Sequence, residues 1–267
     1  MRCKVCKDLG YVTEAGAECA VAKVCTCREH CKACNDTGFI VEVGDGAPRS
    51  KPYTCRHLRR NINLFNQACL PAKMHSRTLE NYEEQDKSQS VLRAHLMRYR
   101  QAYLPGNRGF LLWGNPGTGK THLVCALSRH FTLERGLTVR FVDFFHLLSE
   151  IRAGFATGRS EEELLNPLVA PAILVIDELG KGKASEWEVS MLDQVVSRRY
   201  NAGRTILATT NLPVQAAQGA SNSGCEEGFT SLDERIGERI LSRLMEMCDT
   251  HQVRGEDYRR RKATRRP

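Results

Sequence analysis

The middle of the chain alternates between two spacings of apolar residues. From Lys87 to Leu104, Val91, Leu92, Leu96, Tyr99 and Tyr103 recur mainly at steps of three and four, which predicts a helix ended by Pro105 and Gly106. Gly109 to Trp113 is a short unbroken apolar run and reads as a buried strand. His122 to Glu134 returns to helical spacing, with Gly136 placed to cap its end. A second strand is expected at Thr138 to Asp143, a helix over "FFHLLSEIRAGF", and a third strand within residues 171–180, "PAILVIDELG". Glu186 to Asn201 places Trp187, Met191, Leu192, Val195, Val196 and Tyr200 on one helical face before Gly203. "RTILATTN" is a further strand. Ser231 and Glu234 are spaced as a capping box for one helix over "LDERIGERILSRLMEM", with Leu232, Ile236, Ile240, Leu244 and Met245 facing inward. Strands in alternation with amphipathic helices predict an α/β fold, a central parallel sheet with helices on both faces.

The first seventy residues follow neither spacing and repeat themselves instead. "CKVCKDLGYV" starts at Cys3 and "CKACNDTGFI" at Cys31, each reading C-x-x-C-x-D-x-G-aromatic-aliphatic. After Cys6, eighteen residues intervene before Cys25 and Cys27; after Cys34, twenty intervene before Cys55 and His57. Each unit is thus a C-x-x-C turn, a hairpin-length loop and a closing pair. Tetrahedral Zn²⁺ takes four thiolate or imidazole ligands, and a small domain with little apolar surface gains folding energy from it. The candidate ligands are Cys3, Cys6, Cys25 and Cys27, then Cys31, Cys34, Cys55 and His57. Cys19 and Cys69 are left over; Cys19 is spaced to replace Cys25 or Cys27, and His30 rivals His57. Gly10 and Gly38 suit the positive φ of a turn after each C-x-x-C, ahead of strands begun by Tyr11-Val12 and Phe39-Ile40. The passage from Arg56 to Tyr82, broken by Pro71, reads as a connection, with a boundary near residue 70.

"GNPGTGKT", Gly114-Asn115-Pro116-Gly117-Thr118-Gly119-Lys120-Thr121, matches G-x-x-x-x-G-K-[ST] between an expected strand and helix. Such a loop wraps backbone N–H groups around phosphates, and the helix N-terminus adds partial positive charge. Lys120 is assigned to the β- and γ-phosphates of ATP and Thr121 to Mg²⁺. The third strand delivers Asp177 and Glu178 at its tip; Asp177 would hold Mg²⁺ through water, and Glu178 would polarise the attacking water. Asn211, at the tip of "RTILATTN", suits either a contact with the lytic water or the γ-phosphate, or a turn before Pro213. Arg235, Arg239 and Arg243 step by four, as on a salt-bridged helix face or as one arginine reaching a neighbour's γ-phosphate. Residues 214–230, rich in Gly, Ala and Ser, read as a loop.

Composition narrows the setting. The chain has 267 residues, 41% of them hydrophobic, enough for one ordinary domain and a small one. No apolar run is long enough to cross a bilayer and no secretory pattern follows Met1, so a cytoplasmic protein is expected. Reduced, clustered cysteines in that compartment favour metal over disulfides: nine of twelve fall within residues 1–69. The net charge is +8, and residues 254–267 carry seven basic against two acidic residues. That tail is either solvated or touches nucleic-acid phosphates.

The C-x-x-C-x-D-x-G-aromatic knuckles, "GNPGTGKT", "ILVIDELG", "TTNL" and "ERILSRL", in this order, resemble AAA+ ATPases of the DnaC/DnaI helicase-loader type. The core is also similar to IstB-type transposition helpers. The resemblance implies a zinc-binding, partner-binding domain over residues 1–70, an AAA+ P-loop NTPase core over 71–253 and a basic tail over 254–267. It implies Asn211 as a nucleotide sensor and Arg243 as a finger acting in trans, with Arg239 as its substitute. It further implies ATP, Mg²⁺ and Zn²⁺ as cofactors, and a hexameric replicative helicase and single-stranded DNA as partners. An oligomer or spiral is implied when ATP is bound. Two knuckle units depart from the single one usual in that family. The residues after Met247 are too few for the helical lid of many AAA+ proteins, so its sensor arginine is not expected.

Overall fold

A computed structural model describes residues 3–28, 30–35, 37–42, 47–182, 185–214 and 231–264. The expected loop over 214–230 falls almost wholly outside them. The chain divides into two compact units, residues 1–77 with 128–139, and residues 78–127 with 140–267.

In the first unit, strands β1 (Tyr11–Ala15) and β2 (Ala20–Val24) pair antiparallel, as do β3 (Phe39–Glu42) and β4 (Arg49–Pro52). Each hairpin follows a C-x-x-C turn, and Gly10 and Gly38 adopt φ of 81° and 75° there. The segment expected to be a connection is instead a helix, α1 (Thr54–Ala68), which buries Ile62, Phe65 and Ala68. Asn66 fastens it to the first hairpin: its Oδ1 accepts from the Ala22 N–H at 2.7 Å and its Nδ2 donates to the Ala22 carbonyl at 3.2 Å. Cys19 and Cys69 are joined as a disulfide beside that contact, which removes Cys19 from the candidate ligands.

The larger unit begins with α2 (Lys87–Ala102), whose Asp86 side chain caps it by accepting from the Gln89 N–H. Along the chain then follow β5 (Gly109–Trp113), α3 (Lys120–Leu133), whose residues from 128 on belong to the first unit, β6 (Val139–Asp143), α4 (Phe144–Ala156), α5 (Glu161–Val169), β7 (Ile173–Asp177), α6 (Glu186–Asn201) and β8 (Thr205–Thr210). The chain closes with α7 (Leu232–Ile236), α8 (Glu238–Met247), β9 (Cys248–Gln252) and α9 (Tyr258–Thr264). The five strands form one sheet in the order β6-β7-β8-β5-β9, with β7–β8, β8–β5 and β5–β9 parallel. β7 and β8 are buried along their whole length, as strands covered on both faces must be. The apolar residues of α4, α5, α6 and α8 pack into one core with Leu174, Ile176, Ile206 and Ala208 of the sheet.

The single helix expected after Ser231 is two. Gly237 takes φ 85°, which breaks the run and starts α8 in a new direction. The Ser231 side chain makes no capping bond, so the expected capping box is absent. Arg235 therefore shares no stripe with Arg239 and Arg243. It is buried, donates to the Gly180 and Gly182 carbonyls, and pairs with Glu188 at 3.1 Å.

Candidate nucleotide site and cysteine clusters

β5 ends at Trp113 and α3 begins at Lys120, so residues 114–119 turn at the C-terminal edge of the parallel sheet, where such sheets bind ligands. Gly119 adopts φ 94°, and a Cβ there would lie 2.5 Å from the ring of Tyr82. The Tyr82 hydroxyl donates to the Thr118 carbonyl at 2.8 Å, so this buried ring backs the loop. Within the loop, the Thr118 hydroxyl donates to the Asn115 carbonyl, while Asn115 and Pro116 face solvent.

Lys120 folds over the loop and donates from Nζ to the carbonyls of Gly114 at 2.6 Å and Asn115 at 2.8 Å. Burial pushes its ammonium down to about 8 despite the opposing carboxylates of Asp177 and Glu178. An arriving phosphate would return the charge partner that burial withholds.

Asp177 closes β7 and is buried, which raises its carboxyl above the usual range. Two hydroxyls resist that shift. Thr121 Oγ1 lies 2.9 and 3.0 Å from the two Asp177 oxygens, and Thr209 Oγ1 donates to Asp177 Oδ1 at 2.5 Å. Thr121 and Asp177 are hard oxygen donors brought side by side, a pair that fits Mg²⁺. Glu178 follows in a left-handed conformation, φ 56°, with its N–H donating to Thr209 Oγ1 at 3.0 Å. Its carboxylate pairs with Lys181. One threonine therefore holds both acidic residues.

Asn211 begins the exposed turn after β8 and makes no hydrogen bond to Asp177 or Glu178 among the described residues. Arg243 lies on α8 and is engaged within its own chain, with Nη1 2.8 Å from Asp193 Oδ1 and 2.6 Å from Ser197 Oγ. Arg239 reaches Asp193 at 3.7 Å and is largely exposed.

The sulfurs of Cys3, Cys6, Cys25 and Cys27 all lie within 4.8 Å of one another, with Cys3–Cys25 at 3.9 Å and Cys6–Cys27 at 3.4 Å. Four thiolates around zinc, each at about 2.3 Å, sit roughly 3.8 Å apart, so the four residues fit the ion. The Gly10 N–H donates to the Cys6 sulfur, orienting it. Backbone N–H groups of Cys6 and Val5 lower the Cys3 thiol to about 7, whereas the adjacent Cys6 pushes Cys27 up to about 12. Crowded thiols of this kind ionise together only with a cation among them. The second unit gathers Cys31, Cys34 and Cys55, with Cys34 and Cys55 at 3.2 Å, but not His57. Cys55 sits in the first turn of α1, and a residue two further along a helix points to another face. His57 is exposed there.

A family model described as IstB-like ATP binding protein matches residues 50–266. The chain belongs to that family. Among curated relatives of this IstB-like protein, the replicative helicase loader DnaC of Escherichia coli (strain K12) is 29% identical over 181 residues, 67% of either chain. DnaC of Buchnera aphidicola subsp. Acyrthosiphon pisum is 30% identical over 170 residues, 62% of either chain. Among solved structures, the DnaC helicase loader aligns with a TM-score of 0.57 at 23% identity, covering 68% of this chain and 99% of that one. DnaI aligns at 0.54 and 18% identity, covering 70% and 93%. These likenesses establish the AAA+ core that the family resemblance implies, on the α/β fold that the alternation of strands and helices predicts. The IstB-like chain is an ATP-binding AAA+ ATPase.

Motif reading finds Lys120, Thr121, Asp177 and Glu178 but passes over the residues that position them. Thr209 reads only as part of a strand tip, although an Asp-Glu tip needs a donor from the neighbouring strand. Tyr82 reads in the sequence only as an apolar anchor returning the chain to a core and Asp257 only as part of the basic tail; nothing local ties either to the loop it meets. Among the described residues, no helix is long and apolar enough to cross a membrane.

Proposed function

We propose that this protein is an ATP-controlled loader that places a hexameric replicative helicase on single-stranded DNA. The observation that carries the reading is the match to replicative helicase loaders, 29% identical over 181 residues, across the segment that holds Lys120, Thr121, Asp177 and Glu178. In this reading residues 114–121 cradle the triphosphate, and Lys120 leaves its loop carbonyls for the β- and γ-phosphates. Bound Mg²⁺ would neutralise developing phosphate charge, held by Thr121 and, through water, by Asp177. Glu178 orients and polarises the attacking water once its carboxylate leaves Lys181. Asn211 senses the γ-phosphate, and Arg243 leaves Asp193 to complete a neighbouring protomer's site when copies assemble. The front end, residues 1–70, would be a Zn²⁺-stabilised module that meets the helicase, with Cys3, Cys6, Cys25 and Cys27 as the complete ligand set. Cys31, Cys34 and Cys55 supply three ligands of a second. Hydrolysis would act as the release switch, in the cytoplasm where replication takes place.

Sizing the protein mixed with its cognate replicative helicase, with MgATP and with MgADP, tests the reading. A complex that forms with ATP and dissociates on hydrolysis is expected. No complex in either state overturns it. The family model is itself described as IstB-like, which favours a second reading, a transposition helper acting on duplex DNA. ATPase stimulation by duplex but not single-stranded DNA would establish that reading instead.

A further inference from the structure

The residues beyond β9 do not leave the core; they run along the phosphate loop. The Val253 N–H donates to the Trp113 carbonyl at 2.7 Å, and the Tyr258 N–H donates to the Gly117 carbonyl at 3.1 Å. Between them the segment is tied to the chain ahead of α2: the Glu256 N–H donates to Gln85 Oε1, Gln85 Nε2 returns a bond to the Glu256 carbonyl, and Tyr258 Oη donates to Glu83. Asp257 lies so close to the loop that a Cβ on Gly117 would sit 2.0 Å from its Oδ1 and 2.8 Å from its Cα. Only glycine fits at that position. Asp257 Oδ1 in turn accepts from the Arg259 N–H at 2.9 Å and stands 3.5 Å from Arg259 Nε. One carboxylate thus braces the loop and holds an arginine at its lip.

Arg259 has reach to spare. Its side chain is 74% exposed, and its charge is close enough to oppose that of Lys120. Two cations approach a loop whose form recruits anions, and a guanidinium matches phosphate oxygens in a bidentate fork. We propose that Arg259 is a phosphate-contacting residue of the nucleotide site, delivered in cis by the C-terminal segment and aimed by Asp257. The role rests on the ATP-binding reading and extends it. Part of the basic tail then serves the nucleotide rather than DNA.

Binding of MgATP and MgADP to the full chain, by titration calorimetry, tests this with Arg259→Ala, Arg259→Glu and Arg259→Lys. Arg259→Ala should weaken MgATP binding at least fivefold and Arg259→Glu further. Arg259→Lys, which keeps the charge but not the fork, should fall between wild type and Arg259→Ala. The unfolding midpoint without nucleotide should not move, because the side chain is mostly solvated, which separates contact from folding. Wild-type affinity in both Arg259→Ala and Arg259→Glu overturns the proposal. So does loss of single-stranded DNA binding with nucleotide affinity intact, which would return Arg259 to a DNA-binding tail. If wild type itself binds no nucleotide, the ATP reading fails first and takes this one with it.

Discussion

Thr209→Val is the most informative single change at the nucleotide site, because valine keeps the shape and removes only the oxygen. Thr209 is 1% exposed, and its hydroxyl makes two bonds at once: it donates to Asp177 Oδ1 at 2.5 Å and accepts from the Glu178 N–H at 3.0 Å. The first bond goes to a charged acceptor and is worth about 1.5–3 kcal/mol, and an orphaned buried N–H costs about 1–3 kcal/mol. The Glu178 N–H is only partly buried, so the low end of that range applies, and the total loss should be about 3 kcal/mol. The chemistry should suffer as well. Asp177 is already raised by burial, and without Thr209 it rises further, so Mg²⁺ affinity falls and its pH dependence moves upward. Glu178 loses the bond that holds its left-handed backbone. Urea unfolding measures the first effect; MgATP turnover against pH measures the second. A drop in turnover of about tenfold or more is expected, with Thr209→Ser restoring both quantities because the hydroxyl returns. A valine variant within about 0.5 kcal/mol of wild type that turns over ATP at half the wild-type rate or better would refute the reasoning. It would mean that the strand backbone alone places both acids.

Glu178→Gln should retain MgATP binding in calorimetry and lose turnover by roughly a hundredfold or more, the split expected of a group that acts only on the water. The depressed Lys120 ammonium makes the nucleotide-free fold bind fewer protons than the unfolded chain between pH 8 and 10.5. Its contribution to stability is therefore present above 10.5 and lost as pH falls through 8. MgATP affinity runs the other way, falling as pH rises past 8, and a pair of melting and binding titrations should show the opposite slopes. Mass spectrometry of reduced, native protein should find zinc, and Cys6→Ser should remove one ion while leaving MgATP affinity within about twofold.

The parts legible in the sequence were those whose cause is local. A strand, glycine loop and helix follow from short-range spacing, so β5, α3, β7 and β8 lie where the pattern puts them, and α6 spans Glu186–Asn201 as expected. β9 was not legible. "CDTHQ" is polar, because an edge strand presents one side to solvent and needs no apolar run. α1 was missed because its buried residues are few, Ile62, Phe65 and Ala68 among basic and amide side chains. The joined helix over residues 232–247 was wrong because the apolar spacing runs through Gly237, whose positive φ breaks the helix. His57 follows from the α1 error. On an extended closing pair it would align with Cys55, whereas on a helix it turns away. The cysteine units were legible as a repeat, but the pairing of Cys19 with Cys69 depends on the docking of α1 against β2 and leaves no mark in the spacing.

The Asp177–Glu178 tip shows why a motif alone underdetermines such a site. Glu178 is a non-glycine residue in the left-handed region, a conformation that costs about 1–2 kcal/mol. Contacts from two residues, Thr209 and Arg235, offset that cost. The Glu178 N–H bonds to Thr209 Oγ1, the Leu179 N–H donates to the Thr209 carbonyl at 2.7 Å, and the buried Arg235 caps the Gly180 and Gly182 carbonyls just beyond. Glu188, from the first turn of α6, gives the buried Arg235 its ion-pair partner. The direction of the Glu178 carboxylate is thus set by β8, α6 and α7 rather than by the strand that carries it. A subunit that shifts α6 or α8 on contacting a neighbour, for instance by drawing Arg243 away from Asp193 on α6, would act on the same element that supports Arg235. If Arg243 leaves Asp193 on assembly, as proposed, assembly and water activation would be coupled through α6, and exchanging Asp193 for Asn should change turnover even in the unassembled protein.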